Sequence, residues 1–137
     1  MGKMLHENLS RALIGAAMEV LNALKPGLDE KLYERALGIE LDHRGYLATR
    51  QRQFSVHYRD ELIGNLVPDL IVNDLVIVDP KATATFTDTH VAQMIGYLNI
   101  TGLELALLLN SKHACLTWKR VVRQNGAEPD EPPDLRA

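Results

Sequence analysis

Three side chains stand out by type and spacing. Asp69 follows Pro68 within an apolar run, and Asp79 and Lys81 end the next one in Val78-Asp79-Pro80-Lys81. A lone buried carboxylate is costly, so charges at the ends of central strands call for a partner, a cation or water. Asp79 and Lys81 are two residues apart, which in a strand puts both on one face. Asp69 joins them only under a particular register. If residues 69 and 79 sit opposite one another, Asn73-Asp74-Leu75 is a three-residue loop. A two-residue Asn73-Asp74 turn sets Asp69 against Val78 and sends Asp79 to the other face, unless a bulge intervenes. With all three together the chemistry is that of a hard-cation site, since Mg²⁺ prefers oxygen ligands and is usually held by one or two carboxylates plus waters and substrate phosphate. A lysine beside it positions or activates a water and stabilises charge growing on a phosphoryl oxygen, which makes the reaction phosphodiester hydrolysis. The alternative from spacing alone is a surface salt-bridge cluster at two strand ends.

These residues need elements to hold them. From about Leu5 to Leu24, Leu9, Ala12, Leu13, Ala16, Ala17, Val20, Leu21 and Leu24 fall on one helical stripe, and Lys25-Pro26-Gly27 breaks it. A second helix is expected from Asp29 to about Arg44, with Leu32, Ala36, Leu37 and Leu41 inward and Gly45 closing it. The period then changes to that of strands at Phe54, Val56 and Tyr58, followed by a turn at Arg59-Asp60-Glu61, a strand over about Leu62 to Val72 and another over Leu75 to Asp79. Leu70 to Val78 is nearly continuously apolar, as in strands covered on both faces. Thr87 or Asp88 caps a third helix to about Ile100, whose apolar face is Val91, Met94, Ile95 and Leu98. Leu103 to Leu109 and Cys115 to Val122 give two last strands around the polar turn Asn110-Ser111-Lys112-His113. The expected fold is a mixed α+β (α/β) domain of order α-α-β-β-β-α-β-β, a five-stranded mixed sheet flanked by helices.

Composition agrees with one such domain. The chain has 137 residues, 46% hydrophobic and 24% charged, the balance of a soluble globular protein with a single core. Residues 1–123 form the expected domain, and 124–137, rich in Pro and acid, a flexible tail. No apolar stretch approaches the roughly 20 residues of a membrane span, and no export signal or myristoylation pattern opens the chain, so a cytoplasmic location is expected. The single cysteine, Cys115, excludes an internal disulfide framework or multi-cysteine zinc site and is expected to be a small buried or half-buried hydrophobe. Net charge is −3, yet four acids against one base lie in residues 128–137, leaving 14 acids and 14 bases in the rest. A neutral body does not exclude a phosphate-bearing substrate.

Gly27-Leu28-Asp29-Glu30-Lys31-Leu32-Tyr33 matches a Gly-x-x-Glu-x-x-Tyr motif, Pro68-Asp69 a PD element, Asp79-Pro80-Lys81 a (D/E)xK element and Gln93-Met94-Ile95-Gly96-Tyr97 a Gln-x-x-x-Tyr element. In this order they resemble the GxxExxY family of the PD-(D/E)xK nuclease superfamily, over roughly residues 5–122. The resemblance implies a restriction-endonuclease-like core that binds Mg²⁺ (or Mn²⁺) and acts on DNA. It makes Asp69, Asp79 and Glu30 metal ligands, sets Lys81 beside the attacking water, and turns Gln93 and Tyr97, one helical turn apart, toward the site. Glu34, one turn from Glu30, is the alternative helix-borne acid. Local readings stand beside these roles: Glu30 stabilises the first turn of its helix, Tyr33 packs in the core, and Gln93 and Tyr97 seal the sheet. Where the family commonly has Glu-Leu-Lys, this chain has Asp-Pro-Lys. Aspartate is one methylene shorter, and Pro80 removes a backbone donor, which strands accept at edges, ends or bulges.

His6, His43, His57, His90 and His113 show no paired ligand spacing and are expected at the surface or in caps. Arg50, Arg52 and Arg59 surround a strand and are either phosphate contacts or a solvated face. Two functions follow. One is a Mg²⁺-dependent deoxyribonuclease; the other is a catalytically weak or inactive relative acting as an interaction or self-assembling module, a homo-oligomer built on exposed sheet edges.

Overall fold

The computed structural model describes residues 5–123; the expected tail lies outside the described residues. The first apolar stripe forms helix α1 (Glu7–Leu24), burying Leu13, Ala16, Ala17, Val20 and Leu21. Leu24, expected inward, is exposed. Helix α2 (Glu30–His43) buries Tyr33, Glu34, Leu37, Gly38 and Leu41. Its inward face is thus rotated from the expected one, and Leu32 is exposed.

Seven strands follow among the described residues: β1 (Ala48–Arg50), β2 (Phe54–Tyr58), β3 (Glu61–Leu66), β4 (Leu70–Val72), β5 (Val76–Lys81) and, after helix α3 (Asp88–Thr101), β6 (Leu105–Asn110) and β7 (Thr117–Val122). The five-stranded mixed sheet is present, in the order β1-β4-β5-β6-β7, with β5 and β6 parallel and the other neighbours antiparallel. Its membership differs from the expected one. The run from Leu62 to Val72 is two strands: β3 closes a separate hairpin with β2, while β4 enters the sheet. Pro68 lies between them and has no N–H to carry a ladder onward. β1, three residues long, pairs with β4 and supplies the sheet edge.

Alternation divides the sheet's side chains between two layers. Val76, Val78, Leu105, Leu107 and Leu109 pack with α1 and α2, whereas Ile77, Ala106, Leu108 and Ile71 pack with Met94 and Leu98 of α3. β4 and β5 are therefore covered on both sides, as their continuous apolar character requires. Helix α3 begins at a capping box in which Thr87 Oγ1 accepts from the His90 N–H and His90 Nδ1 accepts from the Thr87 N–H. Histidine here takes the reciprocal position usually held by Glu or Gln. Thr87→Ala is expected to cost about 1 kcal/mol of stability, read as a lowered denaturant midpoint with an unchanged slope.

Cys115 is exposed in the β6–β7 connection rather than buried, because the strand begins two residues later than expected. Among the described residues no helix is long and apolar enough to cross a membrane.

Candidate active site

The hairpin between β4 and β5 sets the site. Leu70 pairs with Val78, Ile71 with Ile77 and Val72 with Val76, so Asn73, Asp74 and Leu75 form the connection. Asn73 and Asp74 both take left-handed backbone (φ 55 and 57), and the Leu75 N–H bonds the Val72 carbonyl. These residue types tolerate that region better than most. Extending the pairing one step places Asp69 across from Asp79. There the charge of Asp69 acts on the Asp79 carboxyl. The three-residue loop is thus the one that brings the two aspartates together.

Alternation places Asp79 and Lys81 on the α3 side with Ile77. Lys81 Nζ lies 3.5 Å from Asp79 Oδ1 and donates to Gln93 Oε1 at 3.4 Å; Gln93 Nε2 in turn donates to the Tyr97 hydroxyl at 3.2 Å. Asp69, Asp79, Lys81, Gln93 and Tyr97 therefore form one connected group at the sheet end. Asp79 is buried, with 4% of its surface exposed. Burial first, then the charge of Asp69, pushes its carboxyl up from 3.8 to about 7, against the opposing pull of Lys81. Burial followed by the charges of Asp79 and Asp69 raises the Tyr97 hydroxyl as well, so it keeps its proton.

Pro80 sits in a central strand without disrupting it. The Ser111 N–H bonds the Lys81 carbonyl, so the polar backbone of residue 81 points to β6 and that of residue 80 points the other way, toward β4. On that side pairing ends at Leu70, and the same register sets Pro80 across from Pro68. Two prolines without N–H groups meet where β4 and β5 part, immediately beside the aspartates. The Asp-Pro-Lys sequence is accommodated there.

Glu30 reaches the same strand end from the other side of the sheet, where its Oε2 accepts the Ala82 N–H at 2.9 Å. Glu34 is directed elsewhere: it is buried, with Lys31 Nζ 3.3 Å from its Oε1 and Arg50 Nε 3.8 Å from its Oε2. Of the two helix-borne acids, Glu30 is the one beside Lys81. The Tyr33 hydroxyl donates to the Lys25 carbonyl at 2.5 Å and accepts the Leu28 N–H at 3.2 Å, holding the loop that contains Gly27 (φ 113) ahead of Glu30. Gly27, Glu30 and Tyr33 thus act as one device that presents the acid. Tyr33→Phe is expected to lower stability by about 1–3 kcal/mol and to accelerate amide exchange at Leu28 and Ala82 ahead of the rest of the chain.

Asn110, which as sequence belongs to a turn, ends β6 instead and pairs with Lys81. Its buried amide donates to the Thr83 carbonyl at 2.8 Å and accepts the Thr83 N–H at 3.1 Å, fixing the chain that leaves Lys81. The one sequence signal was a polar residue directly continuing a strand buried on both faces. Arg50 and Arg52 have acidic partners, Glu34 and Asp74 respectively, and Arg59 lies over the Tyr58 ring at 5.7 Å. His90 is a cap, as expected.

The donor set suits a divalent cation of the oxygen-seeking kind. Among the described residues no three His, Cys, Asp or Glu side chains gather closely enough to hold a metal by themselves. Two opposed carboxylates, one of them raised first by its burial and then by the charge of the other, match an ion that takes one or two carboxylates and completes its shell with water and phosphate.

No curated protein and no solved structure matches the chain. The model of the PD-(D/E)XK nuclease superfamily matches residues 7–121, which include every element described above except the last residue of β7. The chain belongs to the PD-(D/E)XK nuclease superfamily.

Proposed function

We propose that the protein is a divalent-metal-dependent nuclease that hydrolyses phosphodiester bonds of DNA. The observation that carries this reading is the convergence of Asp69, Asp79 and Lys81 on one face at the end of the sheet. Nucleases of this superfamily generally use divalent metals. Asp69 and Asp79 would hold Mg²⁺ or Mn²⁺, while Glu30, across the sheet and tied to the Ala82 N–H, would fix the strand end rather than join them as a third ligand. Bound there, the ion supplies positive charge against the phosphate and lowers the pKa of a water.

Lys81 orients the attacking water and offsets charge on the phosphoryl oxygens, as its position between Asp79 and Gln93 allows. Gln93 holds Lys81 in place through its carbonyl oxygen and steadies Tyr97 through its amide. The protonated Tyr97 hydroxyl donates to a phosphate oxygen or to the water. Asn110 and Glu30 fix residues 82 and 83, so Lys81 does not drift as substrate enters.

Calorimetric titration with Mn²⁺ tests the ligand assignment. The wild-type chain is expected to bind the ion, Asp69→Asn to bind it at least about tenfold more weakly, and Glu34→Gln to bind it as wild type does. Equal affinities in wild type and Asp69→Asn would remove the basis for this site.

A further inference from the structure

We propose that the pocket next to the candidate active site receives an unpaired nucleobase from the strand flanking the scissile phosphate, so that the favoured substrate is single-stranded or splayed DNA. The pocket, about 290 Å³, is lined by Thr85 and Phe86 of the β5–α3 connection, Asn110, His113 of the β6–β7 connection, and Thr117 and Trp118 of β7. This inference rests on the nuclease reading for the identity of the strand, and its chemistry comes from the pocket itself.

Its position follows from the sheet. Lys81 pairs with Asn110, and Asn110 pairs with Thr117, so the three residues form one row across β5, β6 and β7. Neighbouring strands are about 4.8 Å apart, which puts Thr117 roughly 10 Å from Lys81 by the same spacing. A nucleotide adjacent to a phosphate at Lys81 would reach the pocket without leaving that face. Asn110 belongs to both places: it lines the pocket and holds Thr83, two residues after Lys81.

Its walls fit a base better than a phosphate alone. Phe86 is half-buried and kept in position by an edge-on contact with the His90 ring at 6.3 Å. It offers an aromatic surface, and exposed His113 offers a second ring. The hydroxyls of Thr85 and Thr117 supply donors and acceptors for the edge of a base, and Lys119 on the wall adds positive charge. The volume is close to the lower end of small-ligand sites, about 300 Å³. In a paired duplex the base is turned inward and its face is stacked, so only an unpaired base can enter. Stacking on an aromatic side chain also tolerates any base, which gives strand-form preference without sequence preference.

Fluorescence anisotropy of end-labelled oligonucleotides reads binding without relying on a side chain of the protein. The full chain in EDTA would be titrated with hexathymidylate and with a blunt DNA hairpin, using wild type, Asp79→Asn, Phe86→Leu and His113→Ala. Hexathymidylate is expected to bind wild type and Asp79→Asn equally, and about tenfold more tightly than the hairpin. Phe86→Leu is expected to weaken it about tenfold, and His113→Ala, at an exposed turn where folding is not at stake, severalfold. Equal affinity for hexathymidylate and the hairpin, or wild-type affinity in both pocket variants, would overturn the proposal. Failure is separable from that of the nuclease reading: metal-dependent cleavage with wild-type oligonucleotide affinity in both pocket variants leaves the enzyme and removes the pocket, whereas pocket-dependent binding without cleavage does the reverse.

Discussion

Asp79→Asn is expected to make the metal-free protein more stable at pH 8, by on the order of 1–3 kcal/mol, while abolishing any stabilisation by Mg²⁺. Burial, and then the charge of Asp69, raises the Asp79 carboxyl from 3.8 to about 7 in the folded chain. Between those two values the folded chain holds a proton that the unfolded chain releases. The contribution of Asp79 is thus fully present at acid pH and is lost as pH rises through about 7. Asparagine removes that loss and retains an oxygen for Lys81. Melts in EDTA at pH 5 and pH 8 check this: the advantage of the variant should grow with pH. A constant difference would mean that the carboxylate is not the strained group. Adding Mg²⁺ at about 100 times its Kd should stabilise wild type by about 2.7 kcal/mol, and the variant not at all. The residue that destabilises the empty protein is the one the ion requires.

Lys81→Ala is expected to reduce single-turnover DNA cleavage by about 10²–10³ with the fold and the ion affinity retained. Lys81 is within 3.5 Å of Asp79 and 3.4 Å of Gln93, at the junction between the carboxylates and the polar face of α3. Removing it takes away the positive charge nearest the phosphoryl oxygens and frees Asp79 from a competitor for its electrons. Mn²⁺ should therefore bind the variant at least as tightly as it binds wild type. A cleavage rate within about threefold of wild type, well below the usual effect of losing such a group, would exclude Lys81 from the chemistry. Thermal melts of the same preparations separate a catalytic loss from unfolding.

What was legible in the sequence was governed by periodicity. The three long helical stripes and the doubly covered strands at Leu70–Val78 had patterns extending over enough residues to identify them. The strand β1, with three residues, offers no period at all. The run from Leu62 to Val72, read as one strand, divides at Pro68, whose missing N–H cannot carry a ladder onward. Leu32 faces outward because Tyr33 is held inward by the loop bonds of its hydroxyl, a constraint of tertiary origin that no stripe reveals.

The candidate site divides the same way. Asp79 and Lys81 are two apart in one strand, and local geometry sufficed to put them together. Bringing in Asp69 depended on whether the connection had two residues or three, and that is set by the register in which Val72 pairs with Val76 rather than with Leu75. Choosing between Glu30 and Glu34 required knowing which of them Arg50 and Lys31 would claim, across strand β1 and along the helix. The part played by Asn110 depended on the parallel pairing of β5 with β6, two elements separated by α3.

Cleavage of DNA by wild type, Asp79→Asn and Lys81→Ala, in Mg²⁺ or Mn²⁺ and in EDTA, tests the central claim most directly. A hexathymidylate-tailed duplex with labelled ends would serve as substrate. Wild type is expected to cut with either ion and not in EDTA, and both variants, each of them folded, to lose at least about 10² in rate. Cutting that persists equally in the two variants, or no cutting by a folded wild type that binds the ion, would contradict it.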